Sequence, residues 1–216
     1  MISPEVLRSL IVAMQPMLLA ITLHEVAHAW VAERLGDPTA RWLGRITLNP
    51  LKHLDPLGVA VFVFSMMQGF GIGWAKPVPV NPGHFRHPRR GMMWVALAGP
   101  AMNFLLALAS FILLHQLLRA GLAGGALGRP VGLMLWWSVR LNLVLMVFNL
   151  IPIPPLDGGR IVDGLLPGPL SYHYGRIEPY GFFIVIALLF VGVLGIILRP
   201  MYSIASTLIV SLGGML

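Results

Sequence analysis

The sequence predicts an all-α polytopic membrane protein, and three observations carry that expectation. Apolar residues make up 57% of the 216-residue chain and charged residues 11%, against the roughly 25% charged that is usual for soluble chains. Several apolar runs approach or exceed the ~20 residues with which a helix crosses a bilayer. Between those runs glycines and prolines cluster, as at 36–38, 121–130 and 152–159, where they stop helices.

Residues 5–35 read as one long helix, with Pro16 expected to kink it and Gly36-Asp37-Pro38 to end it. Residues 37–55 are polar and basic, and Trp42 to Asn49 alternates enough to be compatible with a strand. Residues 57–72 are apolar but short for a span, contain Gly58 and end in GFGIG. The next segment, GWAKPVPVNP at 73–82, reads as extended chain, because Pro77 and Pro79 each remove a backbone donor. HFRHPRR at 84–90 is a basic cluster. Residues 91–119 form a spanning helix with an expected interruption at Gly99-Pro100. A glycine-rich loop follows at 121–130, and 131–150 span again. NLIPIPPLDGGR at 149–160 breaks that helix, and a short helix is expected to resume at 158–166. Two last apolar stretches, 180–198 and 201–215, are expected to part at Arg199-Pro200. With no flexible linker or repeat in it, the chain reads as a single domain over 1–216.

The net charge of +7 does not point to nucleic acid, because the basic residues are spread over short loops. It fits Lys and Arg retained on the cytoplasmic side of a membrane. Eight of the fifteen basic residues lie between 33 and 90 and flank segment 57–72 on both sides. A segment that dips into the bilayer and returns would leave both clusters in the cytoplasm, and this re-entrant reading is the one the charges favour. With no cysteine, disulfides and thiolate metal sites are excluded, so a transition metal must be held by His and carboxylate. The first apolar stretch lacks a basic leader and an A-x-A-like cleavage site, which speaks against a cleavable signal peptide.

Chemistry concentrates in that first stretch. His24-Glu25-Val26-Ala27-His28 is an H-E-x-x-H pattern. On a helix, positions i and i+4 share a face, so both imidazoles can reach one ion, and Glu25 sits beside them to take a proton from water. The plain alternative is a pair of core histidines with a buried Glu, but three ionisable groups at membrane depth are costly and are rarely present without a function. A catalytic zinc site takes three protein ligands and keeps an open position. The candidates for the third ligand are Asp157 and Asp163. Asp157, in LDGG where prolines break the helix, is costly there unless it meets a cation, and it is also a plausible helix N-cap. Asp163 reads as interfacial or paired with Arg160.

HEVAH, GWAKPVPVNP, GPAMN at 99–103 and NLIPIPPLDGG, in this order and spacing, resemble the site-2 protease family of intramembrane metalloproteases, peptidase family M50. The resemblance covers roughly residues 17–166 and is to the compact bacterial members that carry no PDZ domain. It implies a core of three transmembrane helices, about 5–166 here, with accessory helices at about 178–216. It implies one zinc ion per chain held by His24, His28 and Asp157, with Glu25 as catalytic base. The family's Asn before the LDG-type motif matches Asn149, associated there with substrate or transition-state contacts. Asn103 matches the G-P-x-x-N element of the second core helix. A membrane-embedded β-hairpin would lie within 40–82, where the apolar insert 57–72 departs from the family's minimal hairpin. The activity implied is endopeptidase cleavage within or near transmembrane segments of substrate proteins, at the plasma membrane of a bacterium. Partners would be those substrates and the lipid bilayer.

Zinc would supply an activated water and a polarised carbonyl, and Asn149 or Asn103 would donate to the charge that develops. The broken chain at 149–157 and the glycine-rich 69–73 segment are expected to line a wet cavity. PVPV, with both missing N–H groups on one edge, offers a strand that donates from its other edge only, suited to hold an unwound substrate; the alternative is a rigid loop. Two other readings compete: a metal transporter, which also places His and Asp at membrane depth, and an inactive scaffold for membrane helices.

Overall fold

The computed structural model describes residues 4–67 and 74–214. Nine α-helices occur among them: α1 (Pro4–Arg34), α2 (Thr39–Trp42), α3 (Pro56–Met67), α4 (Pro88–Arg119), α5 (Gly128–Asn149), α6 (Asp157–Leu165), α7 (Gly168–Gly175), α8 (Glu178–Phe190) and α9 (Val193–Gly214). Four stretches are long and apolar enough to cross a membrane: Ile11–Arg34, Pro88–Arg119, Gly128–Asn149 and Val193–Gly213. The protein is an all-α polytopic membrane protein, as its composition predicts.

α4 is the central element and packs against α1, α5 and α6, while α1 also packs against α5. These contacts make α1, α4 and α5 a three-helix core, with α9 laid against α4 and α5. Ala107 of α4, Leu143, Met146 and Val147 of α5, and Ala205 and Ile209 of α9 are buried together. A second cluster joins Met17 of α1, Phe62 of α3 and Leu141 of α5. Small residues line the α1 interface: Ala13, Ala20, Ala29 and Ala32 are fully buried. Small side chains let helices approach closely in a solvent that provides no hydrophobic drive between them.

Two expected breaks are not where the sequence placed them. α4 runs unbroken through Gly99-Pro100, and α9 runs through Arg199-Pro200. Proline is tolerated inside membrane helices where neighbours satisfy the freed backbone groups. The last two helices part instead at Gly192, whose φ of +78° is the left-handed conformation that glycine adopts without steric cost.

The stretch Trp42 to Asn49 is not a strand. Asp37 begins a helical turn there: its carboxylate accepts from the Thr39 N–H at 3.1 Å and the Thr39 hydroxyl at 2.5 Å, and α2 follows. Burial alone would raise the pKa of Asp37. Bonds from the Thr39 hydroxyl, His84 and the backbone N–H groups of Asn81 and Thr39 outweigh it and hold the carboxyl below its usual range. Asp37 thereby ties the end of α1 to the turn that follows PVPV, through the Asn81 N–H at 2.6 Å and His84 at 2.8 Å.

Segment 57–72 is helical over its described part, as α3, and its GFGIG end falls outside the described residues. α3 has 12 residues, about 18 Å at 1.5 Å per residue, short of the ~30 Å hydrocarbon core. The chain on its two sides meets: Leu54 and Ala75 form an antiparallel bridge, and Lys76 N–H donates to the His53 carbonyl at 2.9 Å. Among the described residues, this single bridge is all of the β pairing that a hairpin would provide.

Candidate metal centre

α1 presents His24 and His28 on one face, one turn apart, and the fold carries Asp157 to them on the first residue of α6. His24 Nε2 and His28 Nε2 lie 3.0 Å apart, and Asp157 Oδ2 lies 3.3 Å from each. These three atoms form a nearly equilateral triangle. A tetrahedral zinc ion with bonds of about 2.0–2.1 Å has ligand atoms about 3.3 Å apart, so the spacing matches one face of such a site.

Proton positions sharpen the fit. His28 Nδ1 meets the Val95 backbone carbonyl at 2.6 Å and His24 Nδ1 meets Asn103 Oδ1 at 2.6 Å. Both partners only accept, so in neutral rings each Nδ1 carries the proton and each Nε2 carries a lone pair. Asp157 Oδ2 is buried without a hydrogen-bond donor. Two imidazole lone pairs and a carboxylate oxygen converging with no proton between them repel unless a cation sits among them. The residues therefore fit a zinc ion, and second partners at each Nδ1 are the usual way of fixing a ligating histidine.

Glycines make this convergence possible. Gly99 lets α4 pass against the two imidazoles: a Cβ there would collide with His28 Nε2 and lie 2.5 Å from His24 Cε1. At Gly158 a Cβ would meet the carbonyls of Leu150 and Ile151, and at Gly159 the backbone of Ile153 and Pro154. The proline-rich turn can thus fold over the start of α6 and aim Asp157 back at α1. Asp157 is the first residue of α6, and the Leu156 N-cap position carries no side-chain cap bond. The alternative role as N-cap is not formed. Its charge still lies at a helix N-terminus, where the dipole favours an anion. Asp163 does not pair with Arg160. It accepts from Ser171 Oγ at 2.5 Å and stands away from the centre, while Arg160 lines the cavity.

The cavity in front of the three ligand candidates measures about 240 Å³, room for several waters. Its walls include Glu25, Trp74, Pro77, Val78, Asn149 and Arg160. Of the expected wet lining, the 149–157 turn is present through Asn149, Pro155, Leu156 and Asp157, while 69–73 falls outside the described residues. Glu25 is buried, and its Oε2 accepts from the Val78 N–H at 2.8 Å. One N–H of the PVPV donor edge, that of Val78, thus points to the site and is taken by Glu25, and Pro77 beside it also lines the cavity.

The two asparagines separate. Asn149 lines the cavity and gives one amide hydrogen to the Leu145 carbonyl at 3.0 Å. Asn103 is fully buried and is absent from the cavity wall. Its Oδ1 faces His24 and its Nδ2 donates to Asn142 Oδ1 at 2.9 Å. That commitment corrects the expectation of Asn103 as a donor to developing charge: it grips a histidine from behind. Sequence reasoning missed Asn142, Ser138 and Gly99. Ser138 and Asn142 are polar residues four apart inside a span, a shared helix face that spacing alone would have revealed.

Two helical histidines, a carboxylate and an adjacent glutamate within apolar helices define a membrane metalloprotein of the H-E-x-x-H class. The chain belongs to peptidase family M50. The family pattern matches residues 124–192, which include Asp157. The chain is 42% identical over 191 residues to YwhC of Bacillus subtilis (strain 168), covering 87% of this chain and 84% of that one. It is 33% identical over 179 residues to Rip2 of Mycolicibacterium smegmatis, covering 80% and 64%. It is 28% identical over 159 residues to the zinc metalloprotease MJ0392 of Methanocaldococcus jannaschii, covering 74% and 34%. The first two also carry zinc-metalloprotease names. No solved structure matches the chain. The protein is a zinc metalloprotease with several membrane-spanning helices.

Proposed function

We propose that this protein is an intramembrane endopeptidase that cuts within or near transmembrane segments of other proteins, in the plasma membrane of a bacterium. One observation carries the reading. Glu25 lies nine residues before Arg34 on the span Ile11–Arg34, about 14 Å inward along the helix, which supports a site at membrane depth beside a cavity with room for several waters. His24, His28 and Asp157 would hold the zinc, which when bound polarises a carbonyl and brings the pKa of water toward neutrality.

The chain's own groups perform the proton work. Val78 N–H fixes one oxygen of the Glu25 carboxylate, and the other has no protein partner among the described residues. Glu25 is placed to take a proton from water and pass it to the leaving nitrogen. Asn149 retains an amide hydrogen that can meet charge developing on the carbonyl oxygen. The residues act as a single domain over 1–216, with the core at 5–166 and accessory helices at 178–216.

The test uses the full chain in liposomes with single-span substrates and mass analysis of the products. We expect cuts inside or at the edge of the apolar segment, abolished by chelation. Cuts confined to soluble loops would refute the intramembrane reading.

Asn149→Ala is expected to lower turnover about a hundredfold to a thousandfold with zinc content kept. If the amide instead only braces its own helix through Leu145, turnover stays near normal, or zinc is lost together with thermal stability. Turnover, zinc and melting temperature on one sample decide.

The charge pattern and the Leu54–Ala75 bridge support cytoplasmic placement of both 33–55 and 73–90. Arg45 is a poor probe position, being buried and bonded to the Lys76 carbonyl at 2.7 Å. Cysteines at the exposed positions Lys52 and Arg86, in a chain free of other cysteines, are expected to react with an impermeant thiol reagent from the same side. Opposite labelling would mean that 57–72 crosses the bilayer.

A further inference from the structure

Behind His24 a file of polar side chains crosses the interior of the three-helix core. Asn103 Oδ1 meets His24 Nδ1 at 2.6 Å, and Asn103 Nδ2 donates to Asn142 Oδ1 at 2.9 Å. Asn142 Nδ2 then donates to the Ser138 backbone carbonyl at 2.9 Å and lies 3.3 Å from the Ser138 hydroxyl, which meets the Ser110 hydroxyl at 2.7 Å. Asn103 and Asn142 are 0% and 1% exposed, so no water is at hand to satisfy a misplaced amide.

An asparagine amide reads the same in outline whichever way it is turned, and its direction follows from its partners. Only one group in this file has a fixed polarity: a backbone carbonyl accepts and cannot donate. The Ser138 carbonyl therefore forces the NH₂ of Asn142 toward it and turns Asn142 Oδ1 toward Asn103. Facing that oxygen, Asn103 must present its NH₂, which turns Asn103 Oδ1 toward His24. Facing that oxygen in turn, a neutral His24 must carry its proton on Nδ1. The Nε2 that points to Asp157 and His28 is then left with its lone pair.

We infer that Asn142 is a positioning residue for the metal site: anchored on the Ser138 carbonyl, it sets the orientation of Asn103 and so selects the metal-binding tautomer of His24. His28 needs no such relay, since the Val95 carbonyl fixes its Nδ1 directly. The two histidines thus have their tautomers set by backbone carbonyls, one at first hand and one through two amides. The inference rests on the reading of His24 as a zinc ligand.

The Asn142→Asp variant keeps an oxygen that accepts from Asn103, and in its neutral form the new side chain also donates to Ser138. Asn142→Leu removes both functions at similar size. We expect zinc affinity, measured by chelator competition on the full chain in detergent, to fall about 10- to 100-fold in Asn142→Leu and to stay near the parent value in Asn142→Asp. A second measurement needs no variant at Asn142. Solid-state NMR of ¹⁵N-histidine-labelled, chelator-stripped protein in bilayers, at a pH where the rings are neutral, is expected to show His24 protonated on Nδ1. Its signal is assigned by its loss in His24→Gln. Asn142→Leu is expected to populate the form protonated on Nε2. Parent-like zinc affinity in Asn142→Leu, or a parent His24 protonated on Nε2, overturns the inference. Zinc retained in full by His24→Gln would instead overturn the ligand assignment beneath it.

Discussion

Glu25→Gln is expected to lower turnover by about 10²- to 10⁴-fold, the range for loss of a positioned acid–base group, while zinc binding persists. The geometry separates the two effects. The Glu25 carboxylate is bonded by Val78 N–H at 2.8 Å, and the ligand triangle is drawn by His24, His28 and Asp157 alone. The replacing amide has the same size, and its oxygen still accepts from Val78, so the PVPV segment keeps its hold. The amide cannot accept a proton from water near neutral pH. Turnover on a membrane substrate and zinc content on the same preparation give the readout. The same variant discriminates the competing functions. Unchanged metal flux with no proteolysis by the parent would indicate transport, and unchanged partner binding with no proteolysis by the parent would indicate a scaffold. Zinc lost along with activity would place Glu25 in metal binding instead of proton transfer.

The sequence exposed the parts of the site that obey local rules. H-E-x-x-H is a helical spacing, and α1 delivers it. LDGG after a proline-rich break marks a chain reversal, and α6 begins there. The helices are legible because apolar runs of the right length have few other ways to satisfy their backbone in lipid. What stayed hidden depends on which helix faces which. Gly99 reads as a helix breaker beside Pro100 and acts as a gap for two imidazoles from α1. Asn103 looks like a donor to the reacting centre until its burial behind His24 is seen. Asn142 shows in the sequence only as a polar residue four after Ser138 on one helix face, and its role is defined by Asn103 on another helix and by a backbone carbonyl. The break between the last helices fell at Gly192, where a positive φ was needed, and not at Pro200, where a helix in lipid continues.

The isolation of the file behind His24 and the exposure of Glu25 to the cavity divide the site into a dry side and a wet side. On the dry side Val95, Asn103 and Asn142 hold the rings from within the packed core. On the wet side Glu25, Val78 and Asn149 line the cavity. Substitutions on the first side are expected to appear in metal affinity, and those on the second in turnover.

Asp157→Ala is expected to weaken zinc binding by more than about 100-fold, beyond the 10- to 100-fold that follows loss of an outer partner. Two histidines 3.0 Å apart would remain, short of the three protein ligands of a catalytic zinc site. The stability cost is expected to be small. Asp157 makes no cap bond, its Oδ2 receives no hydrogen bond, and its favourable interaction with the helix dipole is worth about 0.3–1 kcal/mol. α6 is otherwise fastened by Arg89, which donates to the Leu166 carbonyl and, at 2.9 Å, to that of Asp163. Thermal unfolding with and without zinc separates the two quantities, because a ligand at 100 times its Kd stabilises the native state by about 2.7 kcal/mol. The parent is expected to melt at a higher temperature when zinc is added. The Asp157→Ala protein is expected to melt near the zinc-free parent at either condition. Parent-like zinc affinity in that variant would move the third ligand elsewhere. Asp163 would be a poor substitute, since its carboxylate is already engaged by Ser171.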